Sequence, residues 1–87
     1  MKIKKGFVVR EVGGENVAVP VGAQTKNFRG MIKLNETGRF LWDLFLEEKT
    51  VDEAVAALLE TYDVEEAIAR EDVERFVGVL LENGFAE

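Results

Sequence analysis

Histidine, cysteine and serine are all absent from this 87-residue chain. Their absence removes the commonest general base and the two commonest nucleophiles, so an enzyme is the weaker expectation from the outset. Carboxylates could still do acid–base work, but most of them fall on what read as solvated helix faces. Without cysteine there is neither a disulfide framework nor a thiolate metal site, and nothing argues for an oxidising compartment. Long apolar runs are missing as well. None reaches the length of a membrane span, and MKIKKGFVV lacks the apolar core and cleavage site of a signal peptide, so no membrane association is expected and the cytoplasm is the expected location. Proline occurs once, at Pro20.

What is present describes one small domain, expected over residues 1–87. Hydrophobic residues make up 47% and charged residues 32% of the chain, an ordinary globular balance that suffices for one core but no second domain. The net charge of -6 is unevenly placed: residues 1–30 sum to +4 and residues 31–87 to -10. A mildly basic strand region therefore precedes a strongly acidic helical one.

FVVREV, from Phe7 to Val12, is rich in β-branched residues and runs into Gly13 and Gly14, which reads as a strand and a turn. VAVPV, from Val17 to Val21, returns as a second strand, with GGEN as the hairpin loop. Pro20 belongs at a strand end, at a bulge, or with its nitrogen facing away from a partner. The polar stretch Gly22–Arg29 reads as a repositioning loop, and Met31–Leu34 as a third strand whose alternation points Ile32 and Leu34 to the core. That strand has no evident partner on its far side.

Asn35 stands where an N-cap belongs and opens a first helix to about Leu46. Gly38, Leu41, Trp42 and Phe45 share one face of it, and Gly38 suggests close approach of another backbone. Phe40, Trp42 and Phe45 are expected to pack in the core rather than to line a ligand pocket. Thr50 and Glu53 have capping-box spacing, and Val51, Ala54, Val55, Leu58, Leu59 and Tyr62 then hold a helical period. In the third helix Val73, Phe76, Val77, Leu80 and Leu81 recur at the same spacing, with Gly84 after Asn83 as the stop and Phe85 folding back onto the core. Its start is open: Glu65–Arg70 serve either as its first turns or as a separate turn, with Asp72 as the alternative cap. Three strands followed by three helices favour an α+β domain, winged-helix-like, with helices on one face of a three-stranded antiparallel sheet.

Such a helical set invites a DNA-binding reading, but nine acidic residues on the second and third helices against Arg70 and Arg75 oppose phosphate contact, so no nucleic acid is expected. EEAIAREDVE lacks the glycine-broken ligand spacing of a calcium loop, and no phosphate-cradling loop is present, so neither metal nor cofactor is expected. The third-strand edge remains. Its lysines and arginines (Lys26, Arg29, Lys33) fit either simple protection of an unpaired edge or an edge that accepts an extended peptide as a further strand. On physics alone the two readings stand level.

GMIKLNETGRFLWDLF, TVDEAVAALLETYDV and EDVERFVGVLLENGF resemble the family of the pyrroloquinoline quinone biosynthesis protein D, also described as the peptide-recognition element of ribosomal-peptide modification systems. The likeness covers roughly residues 6–86 and rests on Leu34, Asn35, Gly38, Trp42, Tyr62, Asp63, Asp72, Val73, Phe76, Leu80 and Gly84. It implies a non-catalytic peptide chaperone that binds the leader segment of a precursor peptide and presents it to a modifying enzyme, such as a radical S-adenosylmethionine enzyme or a peptidase. Carried over by position, the peptide-binding strand is Phe28, Arg29, Gly30, Met31, Ile32 and Lys33, faced by Val73, Glu74 and Val77 on the third helix. Phe76 and Leu80 stay open between that wall and the core. The alternative is a structural or regulatory protein-association module, in its simplest form a homodimer through the same edge. The resemblance does not fix the pathway, and it favours the binding edge over the merely protected one.

Overall fold

A computed structural model describes residues 1–27 and 31–87. Among the described residues the element order is β1 (Phe7–Val12), β2 (Glu15–Pro20), β3 (Ile32–Leu34), α1 (Glu36–Leu44), α2 (Val51–Thr61) and α3 (Glu66–Glu82), with a 3₁₀ turn at Gly22–Lys26. The sheet is antiparallel in the order β1-β2-β3, which is the expected α+β arrangement.

The hairpin is tighter than the four-residue loop expected from GGEN. Val12 pairs with Glu15, so only Gly13 and Gly14 form the turn, at φ +58 and +84. Two consecutive positive φ angles are what a primed two-residue turn needs, so Glu15 and Asn16 are released into β2. Pro20 is the last residue of β2, where its missing N–H is least costly. β3 begins one residue later than expected, at Ile32.

Asn35 caps α1 as the sequence predicts, its Oδ1 accepting from the Gly38 N–H at 2.7 Å. The capping box of α2 is complete, with Glu53 N–H donating to Thr50 Oγ1 at 3.0 Å and Thr50 N–H donating to Glu53 Oε1 at 2.9 Å. α3 starts at Glu66, so the preceding ambiguity resolves in favour of a long helix; Asp72 lies inside it and caps nothing. α1 stops at Leu44, short of the expected Leu46.

The register sorts the sheet into two faces. Phe7, Val9, Ala18, Ile32 and Leu34 point to the helices, and Val8, Arg10, Val12, Val17, Val19 and Lys33 point away. Between sheet and helices lies the core, with Leu41, Trp42, Phe45, Leu58, Val73 and Leu80 fully buried. Phe85 turns back under α3, its N–H donating to Leu80 O at 2.8 Å, and stacks on Phe7 with ring centroids 4.1 Å apart. Two residues expected in the apolar stripes are exposed instead, Leu59 on α2 and Leu81 on α3, because each stripe is wider than the surface its neighbours cover.

The ends of the chain pair with each other. Lys2 and Glu87 exchange backbone hydrogen bonds of 2.9 Å each, and Ile3 N–H donates to Phe45 O at 2.9 Å. Within this clasp Ile3 is buried as part of the core.

Candidate functional site

β2 occupies one edge of β3, and no strand among the described residues pairs with the other. Alongside that second edge runs a cleft of about 410 Å³ between β3, the start of α1 and α3. Asn35 closes one end of it. The cap sits tight because residue 38 has no side chain: a Cβ there would lie 3.1 Å from Asn35 Oδ1 and 3.6 Å from Leu34 Cδ2. Gly38 thus accommodates a cap and a strand side chain, not the neighbouring backbone that its place in the helix suggests.

The cleft is apolar inside and charged at its mouth. Ile32, Leu34, Leu41, Phe76 and Val79 line its interior, while Asp72 and Arg75 stand on the α3 rim. Arg75 is engaged within its own helix, Nη2 with Glu71 Oε1 at 3.0 Å and Nη1 with Asp72 Oδ1 at 3.3 Å. Beyond Asn35 a second, polar hollow opens between the hairpin turn and α1, bordered by Glu15, Asn16, Lys33, Glu36 and Arg39. There Arg39 donates to Asn16 Oδ1 at 3.2 Å and is steadied by Asp43 at 3.1 Å. β3 therefore has an apolar flank and a polar one.

The wall contributed by α3 differs from the expected one. Asp72, Arg75, Phe76 and Val79 form an i, i+3, i+4, i+7 row facing β3. Of the residues expected there, Val73 is wholly buried in the core, Val77 packs half-buried against that core, and Glu74 is exposed outside the cleft. The row through Val73 and Val77 lies about 100° of helix rotation away from the one facing β3, and packing against the core claims it first. Phe76 does both jobs, stacking on Phe45 with centroids 6.5 Å apart while lining the cleft; Leu80 belongs to the core.

On the strand side, Ile32 is half-buried at the cleft and Met31 is 58% exposed. Lys33 points to the outer face, where Nζ approaches Glu15 Oε2 at 3.6 Å. Phe28, Arg29 and Gly30 lie outside the described residues. Arg75 and Asp72 were missed because charged residues on a helix read as solvated surface; only their position, Asp72 four residues before Phe76 and Arg75 four before Val79, marks them as a rim.

Among the described residues, the two ionisable groups with shifted values lie elsewhere. The Glu53 carboxyl is held below its ordinary value by the Thr50 backbone N–H and then the Thr50 hydroxyl, and the Arg70 guanidinium is raised by its hydrogen bond to Asp52. Among the described residues no group of three His, Cys, Asp or Glu is placed to hold a metal ion, and no helix is long and apolar enough to cross a membrane.

Comparison with known proteins gives a family and a fold. The family model for coenzyme PQQ synthesis protein D (PqqD) matches residues 19–86. Two solved structures superpose on almost the whole chain. One is TbiB1 in complex with the TbiA(beta) leader peptide, with a TM-score of 0.76 and 24% identity, covering 100% of this chain and 95% of that one. The other is lasso peptide synthetase B1 complexed with the leader peptide, with a TM-score of 0.74 and 21% identity, covering 99% of this chain and 95% of that one. At these identities the likeness establishes the fold. No curated protein matches the chain.

Proposed function

The chain belongs to the coenzyme PQQ synthesis protein D (PqqD) family, and from that premise we propose that it is a non-catalytic chaperone for a ribosomally made precursor peptide. It captures the leader segment as an added strand on β3 and presents it to a separate modifying enzyme. The observation that carries this reading is the edge of β3, left unpaired among the described residues and bordered by an apolar cleft. Both solved structures of this fold named above hold a leader peptide, which supports the same reading. The absence of histidine, cysteine and serine favours a binding role over a catalytic one.

The binding step follows from strand chemistry. An added strand satisfies its main-chain groups on the open edge, and its alternate side chains fall into the cleft between Ile32, Leu34, Phe76 and Val79. Against this stands the entropy of extending a flexible leader, so affinity is modest and reversible, as a protein that hands its cargo to an enzyme requires. Ile32, Lys33 and Leu34 supply the strand, with Met31 leading into it, and Asp72, Arg75, Phe76 and Val79 supply the facing wall.

The test is titration of the ¹⁵N-labelled protein with the leader segment of the precursor encoded beside it. The reading predicts saturable shifts of amides 31–35 and 72–79. Unmoved spectra at millimolar peptide would contradict it.

A further inference from the structure

The outer face of the sheet carries a row of side chains that ends at the same edge. Arg10 pairs with Val17, and Val17 with Lys33, so the three lie side by side across β1, β2 and β3. Val17 is only 3% exposed although it stands outside the main core cluster. The register sets the stems of Arg10 and Lys33 on either side of it, and long basic side chains cover apolar surface in this way while keeping their charge in water. The row therefore reads cation, valine, cation, and its next place is the residue that an added strand would set opposite Lys33.

We infer that this place selects an acidic side chain, so that the peptide taken by the edge has the local pattern apolar, Asp or Glu, apolar; the inference rests on the strand-addition reading above. Opposite-charge pairs directly across two strands are favourable and like charges there are unfavourable. Lys33 is available for such a pair. Its present contact with Glu15 is 3.6 Å long, and the two side chains are 74% and 61% exposed, which makes it a weak surface ion pair. The residues on either side of the acidic one point to the inner face, beside Ile32 and Leu34, where the cleft is apolar.

The charge of the rest of the molecule fixes which face takes the acid. Residues 31–87 sum to -10, and the cation on the α3 rim, Arg75, is already shared by Glu71 and Asp72. A carboxylate pointing into the cleft would meet that acidic set. One pointing outward meets Lys33, whose other neighbour there is the exposed Glu15, with Arg10 two strands beyond Lys33.

The experiment uses yeast-displayed peptides with a Thr-Val-X-Val-Thr core, X randomised, sorted on tetramerised full-length protein. Scrambled cores serve as the control. Wild type is expected to enrich Asp and Glu over Lys and Arg at X by about three- to ten-fold, the span of a cross-strand pair made and a like pair avoided. Lys33→Glu reverses the preference and Lys33→Gln flattens it. Retention of the Val-X-Val cores above scrambled ones, with the same charge preference at X for wild type and Lys33→Glu, overturns the inference and leaves strand addition standing. Failure of all three proteins to retain these cores above scrambled ones overturns both.

Discussion

Asn35 joins the two halves of the fold. It follows the last residue of β3 and its Oδ1 accepts the Gly38 N–H at 2.7 Å, so the strand that offers its edge is tied to the helix that closes the cleft. Cap and glycine are matched, because a Cβ at residue 38 would crowd the same oxygen at 3.1 Å. Thr50 and Glu53 perform the equivalent service for α2, and here the consequence can be measured. Loss of the threonine cap in Thr50→Ala should cost about 0.5–2 kcal/mol, read by urea unfolding. The Glu53 carboxyl has a lowered pKa in the folded chain. A depressed folded pKa contributes stability that is present above the ordinary carboxylate range and lost as pH falls through the folded value. Glu53→Gln should therefore be less stable than wild type at neutral pH, and the difference should shrink on acidification, as thermal melts from about pH 7 to pH 3 would show. Both caps were legible in the sequence, since a cap is a local device: a side chain of the right type a few residues from the N–H it serves.

At the scale of elements, α3 shows where local pattern stops being informative. Val73, Phe76, Val77 and Leu80 announce a helix with an apolar stripe, but the stripe is wider than the core needs. Packing against the core takes Val73 and Leu80 completely, and the other flank, Phe76 with Val79, is left to face β3. Which flank is which depends on the angle at which α3 lies across the sheet, and no residue in the helix encodes that angle alone. A pair of substitutions separates the two walls. Val79→Asp, in the apolar lining of the cleft, should weaken leader binding about tenfold or more by placing a charge against apolar anchors, equivalent to about 1.4 kcal/mol. Glu74→Lys, exposed outside the cleft, should leave affinity within about twofold and stability within about 0.5 kcal/mol. Isothermal titration of both variants with the same leader segment measures the difference.

Across the whole molecule, elements with their own periodicity were readable and long-range closures were not. The hairpin, β3, the α1 face carrying Leu41, Trp42 and Phe45, and the return of Phe85 could all be anticipated. The clasp that joins Lys2 to Glu87 could not, because Ile3 sits among lysines and its buried place comes from distant partners, Phe45 and Ala86. The edge of β3 was visible as a strand without an evident second partner, whereas the cleft beside it arises only when α1 and α3 are set against the sheet. Among the described residues, what the assembled molecule offers along β3 is an open edge with an apolar flank on the helix side and a cation on the outer side. That edge as the seat of an added strand is the central claim, and intermolecular NOEs between unlabelled leader segment and ¹³C,¹⁵N-labelled protein test it most directly. The account predicts backbone contacts from the peptide to Ile32–Leu34, in a regular strand register, together with side-chain contacts to Phe76 and Val79. A leader that binds with its contacts confined to other surfaces, and none to the β3 backbone, would contradict it.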